Sequence, residues 1–280
     1  MIFKNMEKKI ICILISIFFL FSCSKNTVKD VDRIQNLPLD ALYKKAYEAF
    51  VDGDWNESIS LFKKVEINFA YSEWAPKASL MIIYMYFSSG DTVKTLEYIN
   101  KFQEFYPKNK NNDYVEYIKG LTFYEQINTT SKDITNAEIA LRIFTSIEKK
   151  YPKSIYADES KFKIDLINEQ IAGKHMFVAR YYMSKSIWIP AVKRLKTIID
   201  SYDTTIYVIE ALHRLVEIYY KLGNEKEAKK YAAILGYNFN DSSWYKKTYK
   251  IILDRNYSIE NKNTKKKLKD RLKKMLNFSK

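Results

Sequence analysis

The sequence predicts an all-α fold of about five antiparallel helix pairs, and three observations predict it. Helix breakers are scarce: six Gly and five Pro stand in 280 residues, while Lys, Glu, Leu, Ile and Tyr recur at helical spacing over long stretches. A register of small, apolar and aromatic residues repeats five times along the chain. Turn signals of the type Gly-Asp or Gly-Asn punctuate that register.

The register is anchored on five turn positions: Gly53, Gly90, Thr135, Ser186 and Gly223. Five residues after each stands a small or short residue: Ser58, Thr95, Ala140, Ala191 and Ala228. Sixteen residues after each stands an aromatic: Phe69, Tyr106, Tyr151, Tyr202 and Phe239. Seven and four residues before the aromatic lie the pairs Phe62/Val65, Ile99/Phe102, Phe144/Ile147, Leu195/Ile198 and Ala232/Leu235. These offsets place all four residues of a copy on one face of a 3.6-residue helix. The small residue admits a neighbouring helix closely, and the larger ones fill the groove between neighbours.

Gly53-Asp54, Gly90-Asp91 and Gly223-Asn224 each read as a helix-terminating Gly followed by an N-cap, which lets an antiparallel pair turn tightly. A first helix precedes each turn, at Leu39–Asp52, Ala75–Ser89, Asp113–Gln126, Tyr156–Lys185 and Thr205–Leu222. Helix pairs with this small-then-large pattern resemble tetratricopeptide repeats, so the expected architecture is a tetratricopeptide-repeat superhelix. Two copies are stretched. The third carries an extra loop, Ile127 to Ile134, and the fourth has a first helix of about 30 residues in which a bend is expected near Gly173.

The N-terminus reads as a targeting signal. Lys4, Lys8 and Lys9 precede an apolar run from Ile10 to Phe21, too short for a spanning helix of about 20 residues. Leu20-Phe21-Ser22-Cys23 is similar to a lipoprotein cleavage site, which makes Cys23 the expected lipidation site and removes Cys12 with the signal. Ser24 follows, with no Asp there to resemble an inner-membrane retention signal, so the outer membrane is the expected destination. The organisation expected is a signal peptide at 1–22, a lipidated linker at 23–38, five repeats at 39–240 and a Lys-rich, helical or disordered tail at 241–280.

Charge is unevenly placed. The formal net charge is +14, but residues 246–280 alone hold 13 Lys/Arg against 3 Asp/Glu. A basic protein suggests nucleic acid; here the excess sits in one tail of an exported chain, and no nucleic-acid partner is expected. Lys262 to Lys274 either contact anionic head groups or an acidic partner, or are simply solvated.

Several stretches carry a closer resemblance. Asp113-Tyr114-Val115-Glu116-Tyr117-Ile118-Lys119-Gly120-Leu121 and Val178-Ala179-Arg180-Tyr181-Tyr182, the latter leading to Trp188, Ala191, Val192 and Arg194, resemble the BamD family of tetratricopeptide lipoproteins of the outer-membrane β-barrel assembly (BAM) machine. Asp52-Gly53-Asp54-Trp55 and Ile83-Tyr84-Met85-Tyr86-Phe87 match as well, and the stretched third and fourth repeats fall where that family has them. The chain departs from the family in having Phe69-Ala70 for a Tyr-Pro, Lys132-Asp133 for an Arg/Asp-rich loop and Ser186 for a turn glycine.

The resemblance implies a scaffold that binds the periplasmic POTRA region of a BamA-like barrel protein, other BAM lipoproteins and unfolded outer-membrane proteins. It implies attachment to the outer membrane through the lipid anchor, facing the periplasm. Carried onto this chain, the BamA-side contacts are Lys185, Arg194 and Tyr181. The expected peptide groove is aromatic: Tyr43, Tyr47, Tyr71, Trp74, Tyr84 and Tyr86 in the first two repeats. For each of these six residues, packing between helices is the competing reading.

An enzyme is not expected, and neither is a metal or cofactor. The two histidines, His175 and His213, lie in different repeats, and no metalloprotease, nucleophile-elbow, Cys-x-x-Cys or phosphate-loop motif occurs. A different periplasmic tetratricopeptide adaptor, for instance one coordinating cell-wall synthesis with division, is the rival reading.

Overall fold

The computed structural model describes residues 37–127 and 133–254. The signal peptide, Cys23, most of the linker, the tip of the third-repeat loop and the tail beyond 254 lie outside the described residues. Among those described there are eleven helices and no strand. They are α1 (Leu39–Val51), α2 (Trp55–Asn68), α3 (Trp74–Ser88), α4 (Thr92–Phe105), α5 (Asn112–Tyr124), α6 (Thr135–Lys150), α7 (Ile155–Ser184), α8 (Trp188–Ser201), α9 (Tyr207–Lys221) and α10 (Glu225–Asn238), followed by α11 over 243–254. The first helix of each pair starts and ends within two residues of its sequence-derived bounds.

The chain forms two compact units, Met1–Val115 and Glu116–Lys280, with the boundary inside α5. In the first unit α1 packs on α2, α2 on α3 and α3 on α4. In the second, α6 packs on α7, α7 on α8, α8 on α9 and α9 on α10, and α9 also reaches α7. This is the all-α, tandem helix-pair architecture of tetratricopeptide repeats.

The repeated register is the core. Ser58, Thr95, Ala140, Ala191 and Ala228 are all fully buried, and so are Phe62, Val65, Ile99, Phe102, Phe144, Ile147, Leu195, Ile198 and Leu235. Ser58 uses its small size to donate a hydrogen bond from Oγ to the Ala46 carbonyl of the facing helix, at 2.8 Å. The five aromatics do a second job. Phe69, Tyr106, Tyr151, Tyr202 and Phe239 are C-cap residues with nearly one conformation, φ between −127° and −141° and ψ between 39° and 55°. Each carbonyl then accepts the N–H of the residue three positions on: Ser72, Asn109, Ser154, Thr205 and Ser242. Orphan groups at five helix ends are thereby satisfied the same way.

Turns explain the punctuation. Gly53, Gly90 and Gly223 adopt φ of 82°, 73° and 78°, the left-handed conformation in which a Cβ is penalised. Asp54, Asp91 and Asn224 then cap the next helix, accepting from the N–H of Glu57, Lys94 and Glu227. The third and fourth turns differ. Thr135 is not a turn residue but the first residue of α6: the inserted loop brings Asp133 in as the acceptor for the Thr135 N–H at 2.9 Å and its hydroxyl at 2.6 Å. Ser186 does take the glycine conformation, with φ of 58°, and Ile187 beside it provides no side-chain cap. Restoring both features as Ser186→Gly/Ile187→Asp is expected to stabilise the chain by about 1–2 kcal/mol, removing a left-handed Cβ penalty and adding an N-cap; an unchanged or lower urea midpoint would refute this.

Gly173 does not break α7, which runs unbroken through it. Its reason is steric: a Cβ there would lie 2.9 Å from the Tyr207 hydroxyl of α9. The basic C-terminal region begins on a packed helix. α11 buries Thr248, whose Oγ1 lies 2.7 Å from His213 Nδ1 of α9, and Tyr245, Ile251 and Ile252 pack against the second unit's core.

Candidate partner-binding surfaces

In the first unit, α1 sets Tyr43, Tyr47 and Phe50 at i, i+4 and i+7, one side of a helix. Tyr43 meets Phe62 at 5.1 Å and Trp74, the first residue of α3, at 4.6 Å, both edge-to-face. Burial raises the Tyr43 phenol above its usual pKa, and Tyr47 beside it adds to the effect. Phe50 links Tyr47 at 5.9 Å, Trp55 at 6.5 Å and Tyr84 near the end of α3 at 5.9 Å. Tyr47 is 49% exposed, Tyr84 40%, and Tyr71 projects fully into solvent. Four of the six expected groove residues, Tyr43, Tyr47, Trp74 and Tyr84, thus belong to one aromatic row on the first two repeats.

Tyr86 does not join the row. It is buried, lies 5.4 Å from Tyr98 and accepts a hydrogen bond from Lys63 Nζ at 3.2 Å. Its ring is packing, and it is removed from the contact set. The same arrangement recurs in the second unit, where Lys196 approaches Tyr219 and Tyr231, whose rings stack at 5.7 Å and 2°. Both triads sit ten residues past one turn, four before the next and eight after it. Sequence reasoning missed this register, and it missed Phe50, which i+3 spacing from Tyr47 marks, and Trp55, which lies across the Gly53 turn where no helical spacing reaches it.

In the second unit the expected contacts lie on either side of the fourth turn, Tyr181 and Lys185 at the end of α7 and Arg194 on α8. Tyr181 near the end of α7 is 56% exposed, with its ring edge-on to Tyr182 at 5.8 Å. Lys185, the C-cap of α7, and Arg194 on α8 are also exposed. Arg194 pairs with no carboxylate among the described residues; its Nη1 lies 3.2 Å from Nδ1 of His175. His175 is buried and lies against Tyr202 at 5.9 Å. Burial, reinforced by the Arg194 charge, lowers its pKa below 6.5, so the ring is neutral at neutral pH and Nδ1 accepts.

An ionic network that sequence reasoning did not foresee lies nearby. Buried Glu210 of α9 accepts from Arg180 Nε at 3.0 Å and from Arg214 Nε at 3.2 Å, and its second oxygen pairs with Arg180 Nη2. Arg214 Nη1 donates to Glu217 at 2.8 Å, and Glu217 also faces His213. Trp244 of α11 lies under the Arg214 guanidinium at 5.2 Å. Burial alone would raise the Glu217 pKa, but hydrogen bonds from His213 and Arg214 and the Arg214 charge hold it near 2. His213 is therefore a packed, hydrogen-bonded residue. Among the described residues, no group of three His, Cys, Asp or Glu could hold a metal ion, and no helix is long and apolar enough to cross a membrane.

Comparison with known proteins shows the family of the chain. The chain is 33% identical to an outer membrane protein assembly factor BamD of Caulobacter vibrioides over 83% of its own length and 76% of that protein. It is 33% identical to a BamD of Rickettsia prowazekii over 77% of its length and 86% of that protein. A crystal structure of the type IV pilus biogenesis factor PilW aligns over 75% of this chain and 98% of that one, at 15% identity and a TM-score of 0.34, a likeness too slight to bear on function. The family model YfiO, described as outer membrane lipoprotein, matches residues 35–235. Spanning most of the described helices and agreeing with full-length relatives, that match means that the chain belongs to the YfiO, or BamD, family of outer membrane lipoproteins.

Proposed function

We propose that this chain is an outer membrane protein assembly factor, a non-enzymatic lipoprotein held at the outer membrane by Cys23 and facing the periplasm. The observation that carries the reading is the 33% identity to proteins named for that role over more than three quarters of the chain. The second unit docks the POTRA region of a BamA-like barrel protein through Lys185, Arg194 and Tyr181. Their exposure supports this, as does the absence of a carboxylate partner for Arg194 among the described residues, which leaves its guanidinium able to meet an acidic group on the partner. The first unit receives unfolded barrel proteins along the row of Tyr43, Tyr47, Trp74 and Tyr84, with Tyr71 at its margin. Aromatic side chains offer an apolar body and a polar tip to an extended peptide at low entropic cost.

The test is purification of the tagged full-length chain in mild detergent. Recovery of a BamA-like barrel protein is expected, and its absence from an otherwise intact envelope refutes the reading. Arg194→Glu is expected to cut that recovery about tenfold or more, the scale of losing a charge-assisted interface pair. Equal recovery would remove Arg194 from the interface. Cys23→Ser is expected to abolish labelling by a palmitate analogue and release the chain from the membrane fraction.

A further inference from the structure

We infer that His175 is the positioning residue for Arg194: its Nδ1 lone pair fixes the guanidinium in the pose that meets the docking partner, and protonating His175 releases it. The inference rests on the proposed docking role of Arg194 and adds to it a control element inside the fold.

The geometry is specific. Arg194 stands on the exposed side of α8, yet its Nη1 turns back to within 3.2 Å of a histidine on α7 that is 7% exposed. An arginine has only donors, so the facing Nδ1 must be an unprotonated acceptor and the ring proton must sit on Nε2. One guanidinium nitrogen is thereby tied to the fold, while the side chain as a whole stays exposed. Tying a flexible arginine in this way removes part of the entropy it would otherwise lose on docking.

The surroundings keep His175 in the accepting state. Arg194 is the charged group acting on it, and it disfavours a second positive charge. From the other packed elements, the Tyr202 phenol at the C-terminus of α8 lies against the imidazole, Glu138 of α6 faces that phenol, and Tyr207 of α9 lies beside neighbouring Gly173. None of these supplies a carboxylate to the ring. Acidification below the lowered pKa therefore converts the acceptor into a cation pointing at Arg194. The hydrogen bond is replaced by repulsion, and the guanidinium is freed.

The experiment measures binding of the purified chain to the isolated periplasmic region of the BamA-like barrel protein at about pH 7.5 and in steps down to about pH 4.5. Wild type is expected to bind less tightly at the lower pH. His175→Asn keeps an acceptor oxygen close to the Nδ1 position and does not titrate, so it is expected to bind like wild type at the higher pH and to lose less on acidification. His175→Phe fills the same space without an acceptor and is expected to weaken binding about fivefold at the higher pH, the equivalent of one hydrogen bond. Arg194→Glu separates the two claims. If it binds like wild type, the docking role itself fails. If it loses binding while His175→Phe does not, or if His175→Asn keeps the full wild-type pH dependence, Arg194 docks without help from His175 and the inference is overturned.

Discussion

Phe144→Ala is expected to destabilise the second unit by about 3–5 kcal/mol, and Gly120→Ala to destabilise it by about 1–2 kcal/mol for the opposite reason. Phe144 is fully buried among Ala140, Ile147, Ile167 and Ile171. Removing its ring leaves a cavity that α6 and α7 cannot close without shifting their backbones. The ring in turn presses on α5, where a Cβ built on Gly120 would sit 2.7 Å from Phe144 Cε1 and 2.9 Å from Cζ. A phenyl ring locked in a core has nowhere to withdraw, so the overlap outweighs the gain of about 1 kcal/mol that alanine normally brings to a helix. Because one substitution opens the space that the other needs, the double variant is expected to be more stable than the sum of the two losses, by roughly 1–2 kcal/mol. Denaturation followed by far-ultraviolet circular dichroism on all four proteins checks this. Strict additivity would mean that ring and glycine are not in contact.

That pair also shows what could be read from the sequence. Phe144 was legible as a core residue because it occupies the same position as Phe62, Ile99 and Leu195, and a position that repeats is recognisable without coordinates. Gly120 was quoted only for its resemblance to a family motif. Its partner lies 24 residues on, and a contact between helices leaves no local spacing to find. Gly173 hides its partner in the same way: a glycine inside a helix suggests a bend, and nothing local points to Tyr207, 34 residues on, which needs the room. The aromatics at 69, 106, 151, 202 and 239 are legible as a repeated position, but their C-cap role rests on the backbone N–H three positions later, which residue type does not mark, reinforced by the hydroxyls of Ser72, Thr205 and Ser242. Among the surface candidates, exposure divided what residue type could not. Tyr84 and Tyr86 stand two apart on one helix, so they point in different directions, one toward solvent and one toward Lys63 and Tyr98.

The ionic network supplies the other large effect, because it combines burial with charge. Arg214→Met is expected to cost about 1.5–3 kcal/mol at pH 7, the scale of a lost hydrogen bond to a charged group, because Glu210 keeps Arg180 and Glu217 keeps His213. It deprives Glu210, whose side chain is 8% exposed, of one of its two arginines, and Glu217 of its closest cation. The cost is expected to depend on pH with a definite sign. Glu217 has an ordinary pKa of 4.5 and is held near 2 in the folded chain. The pKa of Glu210 is also lowered: burial pushes it up, and the Arg180 and Arg214 pairs more than reverse that. Groups whose folded pKa lies below the unfolded value contribute stability that is complete above the unfolded pKa and lost as pH falls through the folded one. For Glu217 that window runs from about 4.5 down to about 2, and a shift of that size corresponds to at most on the order of 3 kcal/mol. Wild type is therefore expected to lose stability steeply across the window, while Arg214→Met, in which only His213 still holds Glu217 down and only Arg180 holds Glu210 down, loses less. The two curves of urea midpoint against pH draw closer as pH falls toward 2. A gap that stays constant from pH 7 to pH 3 would mean that Arg214 stabilises the unit by packing on Trp244 rather than by its charge.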